Sequence, residues 1–232
     1  MSGLPGPREP GPLVLHGRSF PPGRLLVMAI VNRTPDSFYR PGLTWDEGAA
    51  VAAVGADLLN DAWGGADPGL AHVAAIHDLG LVCAHAGGTA PRTRPHRPAH
   101  PDLVGQVIAS LTAEAERAVA AGVHPDRVVI DPAHDFGKNS WHSLEITRRL
   151  GELTATGWPV LMSASRKDFV GETLGTGVAD RLFGTLAVTA VGAWLGARIF
   201  RAHDVAQTRQ ALDMVAAIRG DLVPARMVRG LA

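Results

Sequence analysis

The sequence predicts an α/β protein in which short buried strands alternate with helices on a parallel sheet. Three observations point there. Six short apolar runs recur along the 232 residues, each followed by a stretch of helical length, the pattern of repeated strand–helix crossovers. Each run ends in polar residues, as strands do where ligands bind at the carboxyl edge of a parallel sheet. A hydrophobic content of 46% over this length supports one sizeable core in a single domain.

Residues 1–12 hold four Pro and three Gly and lack an apolar signal core, so they are expected to be a disordered tail. The domain is expected to span 13–222, with 223–232 a C-terminal tail. Residues 13–20 fit a short strand or a lid. Leu25 to Val31 is a continuous apolar run, suited to a strand buried on both faces. It turns polar at once, with Asn32, Thr34, Asp36 and Ser37 around Pro35, which biases Thr34 away from helical geometry. The pattern then repeats. Helix-like 44–54 leads to Asp57–Asp61, 68–79 to Leu81–His85, 102–121 to Arg127–Asp131, 142–155 to Pro159–Ser163 and 180–195 to Ala197–Arg201, and a helix over 205–218 closes the chain. Thr44 before Glu47 and Asp180 suit helix N-caps. Gly80, Gly122, Gly157 and Gly196 stand where left-handed C-caps are expected. This pattern leaves two architectures open: a (β/α)₈ barrel needs eight units, and six parallel strands also fit a doubly wound open sheet.

Lys plus Arg and Asp plus Glu number 22 each, so no global field attracts nucleic acid or an anionic membrane. No apolar run reaches the roughly 18 residues that span a bilayer. The single cysteine, Cys83, has no internal disulfide partner and reads as a small core residue, which points to a reducing cytoplasm. His96 and His100 are spaced i, i+4, but Pro95, Pro98 and Pro101 exclude the helix a zinc pair would need. Arg92–Arg97 is basic but short and without interleaved aromatics, and reads as a loop over a pocket. His72 and His77 read as solvated surface. Trp45, Trp63, Trp141, Trp158 and Trp194 read as packing residues.

The strand ends carry the chemistry. They are Asn60-Asp-Ala-Trp-Gly-Gly65, His85-Ala-Gly-Gly88, Asp131-Pro-Ala-His-Asp-Phe-Gly-Lys138, Ser163-Ala-Ser-Arg-Lys-Asp168 and Arg201-Ala-His-Asp204. Their convergence on one rim describes a ligand pocket. Asn60 and Asp131 suit the donor edge of a flat heterocycle, and Arg166, Lys167, Arg201 and His203 offer the charge-assisted donors a diphosphate needs.

Asn32-Arg-Thr-Pro-Asp-Ser-Phe38 resembles N-x-T-P-D-S-F, the first signature of dihydropteroate synthases. Further signatures follow in order. N-D-x-x-G-G resembles Asn60–Gly65, M-H-x-x-G resembles Ala84–Gly88 and D-P-G-I-G-F-x-K resembles Asp131–Lys138. G-x-S-R-K resembles Ser163–Lys167 and R-V-H-D resembles Arg201–Asp204. The resemblance covers residues 25–219. It implies a (β/α)₈ barrel that condenses 6-hydroxymethyl-7,8-dihydropterin diphosphate with p-aminobenzoate to give 7,8-dihydropteroate, in folate biosynthesis. It further implies Asn60, Asp131 and Lys167 as pterin contacts and Arg201 and His203 as diphosphate contacts. Ser165 and Phe136 would lie near p-aminobenzoate, with Arg166 facing that second substrate. Asn32 would stand at the magnesium, and Lys167, Arg201 and His203 would carry the catalytic electrostatics. The family also suggests a homodimer.

Two strand–helix units of the family pattern are missing between the strand ending at Asn32 and the one ending at Asn60. A D-x-G-G-E-S-T-R-P-type loop and an S-x-D-T-type ending go with them, removing two aspartates and a loop over the second substrate. Ala133, His134 and Asp135 replace a Gly-Ile-Gly-like turn, which brings a charge beside Phe136, and Ser163 replaces a Gly. The expected fold is therefore a TIM-barrel-derived (β/α) fold with six recognisable units instead of eight, distorted or incompletely closed. It should retain the neighbour pairs among the last five strands. Two functions are expected to compete. The retained Asn32, Asn60, Asp131, Lys167, Arg201 and His203 favour a dihydropteroate synthase. The missing aspartates and the altered turn favour an inactive paralogue that binds pterin or aryl-amine ligands or serves as a partner subunit.

Overall fold

A computed structural model describes residues 11–15, 17–29, 56–87 and 101–229. The Asn32–Phe38 motif, the helix expected at 44–54, the loop at 92–97 with His96 and His100, and the tail before residue 11 lie outside the described residues.

Two strands, β1 (Leu13–Leu15) and β2 (Arg18–Phe20), pair antiparallel as a hairpin. Six more are parallel: β3 (Leu26–Ala29), β4 (Leu58–Asp61), β5 (Gly80–Ala84), β6 (Val128–Asp131), β7 (Leu161–Met162) and β8 (Ile199–Ala202). The helices are α1 (Gly69–Ile76), α2 (Leu103–Ala120), α3 (Ser140–Arg148), α4 (Leu150–Thr154), α5 (Asp168–Leu174), α6 (Leu182–Trp194) and α7 (Val205–Arg219).

Ladders join β4, β5 and β6 in one set and β3, β8 and β7 in another. A parallel bridge between Ile130 and Val160 connects the two sets at β6 and β7, reinforced by the Ile130 N–H donating to the Pro159 carbonyl at 2.9 Å. The six strands therefore run β4-β5-β6-β7-β8-β3. Among the described residues no ladder joins β3 to β4, the place where the sequence lacks two units. Burial follows the same division. β5, β6 and β7 are wholly buried, whereas β3 and β4 are mostly half-buried or exposed, as strands at the edges of a sheet are.

The two faces of the sheet bury different residues. Val82, Val129, Leu161 and Ile199 pack with Leu26, Met28 and Leu58 into a cluster made of strand and hairpin residues. The alternate positions, Leu81, Cys83, Val128, Ile130, Val160, Met162 and Phe200, pack with Val107, Leu111, Ile146, Phe169 and Leu212 of the helices. The sheet is thus concave on the first side and clad by helices on the second, a barrel wall with an open seam among the described residues. Cys83 lies on the helix side, 4% exposed, and burial pushes its thiol up to about 12, consistent with an inert core residue.

Leu13–Leu15 and Arg18–Phe20 form a hairpin beneath the strands rather than a lid. Leu13 is fully buried in the concave cluster, and β1 packs against the short 3₁₀ turn Pro125–Arg127 that leads into β6, at the amino end of the strands. Arg198, at the foot of β8, ties the hairpin down. The residue is 6% exposed, and its guanidinium donates to the carbonyls of Gly11, Phe20 and Pro21 at 2.9–3.0 Å.

Several local expectations shift. The helix expected over 142–155 is two helices that change direction at Arg149. Asn139 starts the first with a reciprocal cap, its carboxamide accepting from the His142 N–H at 3.0 Å. Asp180 lies inside a 3₁₀ turn, Val178–Asp180, and does not cap α6. Gly122, Gly157 and Gly196 adopt left-handed φ, but at the end of α1 that role falls to Asp78 (φ 57°), while Gly80 opens β5. Gly80 has another constraint: a Cβ there would meet Leu58 Cδ1 at 2.6 Å. Trp63, Trp141 and Trp194 are exposed, and among the described tryptophans Trp158 packs into the core.

Candidate functional site

Side chains alternate across a strand, so a residue two positions beyond a concave-face residue returns to that face. Leu58, Val129, Leu161 and Ile199 pack in the concave cluster. Asn60, Asp131, Ser163 and Arg201 are therefore the next inward positions toward the carboxyl ends, with Met28 beside them on β3. An apolar layer thus gives way to an amide, a carboxylate, a hydroxyl and a guanidinium around one rim. Asn60 is exposed on its edge strand, and Asp131 is buried in the middle of the sheet. The Asp131 carboxylate is held on both oxygens, by the Ala133 N–H at 2.7 Å and by the Ser163 hydroxyl at 2.9 Å.

The loop after β6 keeps a glycine-like backbone without the glycines. Ala133 (φ 48°) and Asp135 (φ 69°) both sit in the left-handed region. That conformation costs an L-residue roughly 1–2 kcal/mol. Ala133→Gly is expected to raise the free energy of unfolding by about 1 kcal/mol in urea titrations, because it relieves strain and removes only a methyl group. Asp135 offsets its strain with contacts. Its carboxylate accepts from the Ser143 hydroxyl at 3.1 Å and from the Phe169 N–H of α5 at 3.3 Å, so it ties the loop to two helices. Phe136 is exposed on the rim, with Lys167 Nζ 4.9 Å over its ring.

Two residues the sequence reading passed over organise this loop. His134, in the position of the resemblance's apolar residue, is fully buried and stacks on Phe169 with ring centroids 5.4 Å apart. Its Nε2 pairs with Thr147 Oγ1 at 3.1 Å, while Nδ1 is buried without a partner among the described residues. Burial, then the charges of Lys167 and Lys138, hold it well below the usual histidine range. Lys138 is also buried and donates to the carbonyls of His85, Phe136 and Ala133 at 2.9, 2.9 and 3.3 Å. Burial pushes this ammonium down to about 7, yet three carbonyls use all three donors of its charged form. Lys138 so binds the loop after β5 to the loop after β6. The same loops touch at Gly87 and Gly137, both with positive φ; a Cβ on either would come within 2.8 Å of the other's Cα.

Lys167 and Asp131 share the rim. Lys167 is partly buried and donates to the His134 carbonyl. Burial lowers its pKa, Arg201 adds to that, and Asp131 and Asp135 oppose it. The Arg201 side chain is half-buried and makes no hydrogen bond or ion pair with another described residue. The Ser165 hydroxyl accepts the His203 backbone N–H at 3.1 Å and meets His203 Nδ1 at 2.9 Å. Having accepted one proton, it has its own to give to Nδ1. Burial and the charges of Arg201 and Arg166 lower the pKa of His203, so the neutral ring is favoured, with its proton on Nε2. Arg166 is engaged elsewhere. It forms a two-pronged pair with Asp204 at 2.9 Å on both prongs, and its remaining nitrogen donates to the carbonyls of Val178 and Ala179. Asn32 lies outside the described residues. Among the described residues no three His, Cys, Asp or Glu side chains gather as a metal centre.

Comparison with known proteins agrees with this geometry. A family model described as pterin binding enzyme matches residues 46–203. An inactive dihydropteroate synthase 2 of Mycobacterium leprae is 45% identical over 288 positions, which take in 94% of this chain and 99% of that protein. About 70 of those positions have no residue in this chain, the size of two strand–helix units. The dihydropteroate synthase of Neisseria meningitidis serogroup C is 38% identical over 166 residues, covering 70% of this chain and 58% of that one. The crystal structure of dihydropteroate synthase from Thermus thermophilus in complex with 6HMPPP superposes with a TM-score of 0.80 at 29% identity, covering 90% and 99% of the two chains. This chain belongs to the dihydropteroate synthase family of pterin-binding enzymes, and its barrel lacks two of the family's strand–helix units.

Proposed function

We propose that this chain binds a pterin diphosphate at the carboxyl rim of its sheet and does not condense it with p-aminobenzoate. The observation that carries this reading is the asymmetry of the rim. The half built by β6, β7 and β8 supplies Asp131, Lys167, Arg201 and His203, whereas among the described residues no ladder joins β3 to β4. The reaction of the family is a substitution at the pterin methylene carbon, with diphosphate leaving and an aromatic amine attacking. It needs no protein nucleophile, only cations preorganised at the departing charge and an amine held in line. Arg201, Lys167 and the Nε2 proton of His203 would meet the first need. The second depends on a covering loop this chain lacks, and Arg166, pinned to Asp204, is poorly placed to replace it. Magnesium would enter with the diphosphate, whose charge it helps neutralise, and Asn32 is the proposed protein ligand beside it.

The test is diphosphate release with both substrates and magnesium present, run beside calorimetric binding of the pterin diphosphate. Binding without release that depends on p-aminobenzoate is expected. Release dependent on the amine would restore the full synthase reaction. Arg201→Ala is expected to weaken the diphosphate-bearing ligand by about 1.5–3 kcal/mol while changing the bare pterin little. Equal losses for both would remove Arg201 from the diphosphate site.

The proposed partner is a second copy of the chain. α6 leaves Phe183, Ala187, Val191 and Trp194 exposed along one line at helical spacing, with Phe183 82% and Trp194 59% exposed. α7, packed beside it, adds Met214 and Ile218. Phe183→Glu is expected to convert a dimer to a monomer in light scattering; an unchanged mass would place the contact elsewhere. The cytoplasm is the proposed compartment, on the reduced, buried Cys83. Among the described residues no helix is long and apolar enough to cross a membrane.

A further inference from the structure

We infer that Ser163 determines which heterocycle the pocket floor accepts: by donating to Asp131, it fits that carboxylate to a ring with a single N–H in preference to the paired N–H donors of an aminopyrimidinone edge. The inference rests on the reading of this rim as a pterin site. Asp131 is the buried carboxylate of the concave surface, and a carboxylate offers two oxygens with about four acceptor positions. An aminopyrimidinone, the edge a pterin presents, brings two adjacent donors and uses one position on each oxygen. Here both oxygens are already engaged. The Ala133 N–H approaches one at 2.7 Å from the loop, and the Ser163 hydroxyl approaches the other at 2.9 Å from the neighbouring strand.

The second contact is the decisive one. Ser163 is 7% exposed and follows Leu161 by two positions, so its side chain stands on the same concave wall as Asp131, where a ring would lie. In the motif that Ser163–Lys167 resembles, this position is a glycine, which has no hydroxyl to give. Each oxygen keeps one acceptor position, so a paired donor edge must fit both remaining positions at once, beside the serine oxygen that crowds one of them. A buried donor that misses its position is left unpaired, which is strongly disfavoured. A ring that directs one N–H at the carboxylate avoids that competition.

The test is fluorescence titration of the full chain with 6-hydroxymethylpterin and with the corresponding lumazine, whose 2-oxo group removes one donor. Wild type, Ser163→Ala and Ser163→Gly are compared, and circular dichroism confirms that each is folded. Both variants are expected to bind the pterin about tenfold more tightly while the lumazine changes less than about threefold. Tightening in the glycine variant alone would assign the effect to bulk and overturn the hydrogen-bond account. Unchanged pterin affinity in both variants would overturn the inference while leaving the pterin site standing. Failure of all three folded forms to bind either ring would overturn the pterin reading and this inference with it.

Discussion

Gly137→Ala is expected to cost about 2–5 kcal/mol in urea unfolding and to abolish ligand binding at the rim. Two separate terms add here. The backbone at Gly137 has φ 60°, which costs an L-residue roughly 1–2 kcal/mol. The new Cβ would also lie 2.8 Å from Gly87 Cα and 2.9 Å from the Ala86 carbonyl oxygen. Those atoms are backbone and cannot rotate away. Lys138, the next residue, is fastened to the His85 carbonyl, so the loops part only by breaking a buried charged hydrogen bond. Overpacking of this kind adds about 1–3 kcal/mol. Gly175 provides the internal control. It too is left-handed, at φ 65°, but a Cβ there meets nothing within 4 Å. Gly175→Ala should lose only the strain, about 1 kcal/mol. Equal losses at the two glycines would show that the loop crossing contributes nothing.

Acidification from pH 7.5 to 5.5 is expected to destabilise the wild-type chain by about 1.4 kcal/mol more than it destabilises His134→Leu. The folded-state pKa of His134 is depressed well below 6.5, because burial and two nearby ammonium groups disfavour its charge. In the unfolded chain the ring titrates near 6.5. Below that pH the unfolded state binds a proton that the folded state refuses. Stability is therefore complete above about pH 6.5 and falls by about 1.4 kcal/mol per pH unit below it, until the depressed folded value is reached. Leucine removes the titration and keeps an apolar side chain against Phe169. Thr147, freed of the imidazole, still donates to the Ser143 carbonyl at 2.9 Å. The measurement is the difference in urea midpoint energies at the two pH values. Parallel pH profiles for the two proteins would show that His134 is protonated in the fold.

The parts of this fold written in short-range pattern were legible in the sequence. Apolar runs of strand length and the polar residues that end them gave the six parallel strands, their helices and the rim. The absence of two signature endings located the open seam. What escaped depends on contacts between distant residues. Arg149 breaks a helix whose two halves share a polar pattern. α5 has seven residues and directly follows a motif rich in ligand-type side chains, so no helical period shows. His134 and Lys138 look like surface residues by type; only the packing of Phe169 and the carbonyls of a neighbouring loop bury them. Arg166 offers a free guanidinium in the sequence, and its capture by Asp204 appears only when the loops after β7 and β8 meet. The Ser163 substitution was visible, but its hydrogen bond to Asp131 was not.

The open seam also sets a timetable for synthesis. In the described residues β3 has a single strand neighbour, β8, and their register pairs Leu26 with Ile199, 173 positions further along the chain. In an eight-unit barrel the strand made next lies at its other side within seconds. Here the strand partner of this apolar segment among the described residues is the last strand of the sheet. At translation rates of about 5–20 residues per second, that delay is roughly 10–35 s, during which Leu26 to Ala29 lacks its β8 ladder. The hairpin waits as well, because Arg198, which anchors it, emerges at the same late moment. The amino-terminal strand and the hairpin beneath it therefore gain these partners only when the carboxyl-terminal strand and Arg198 have been made.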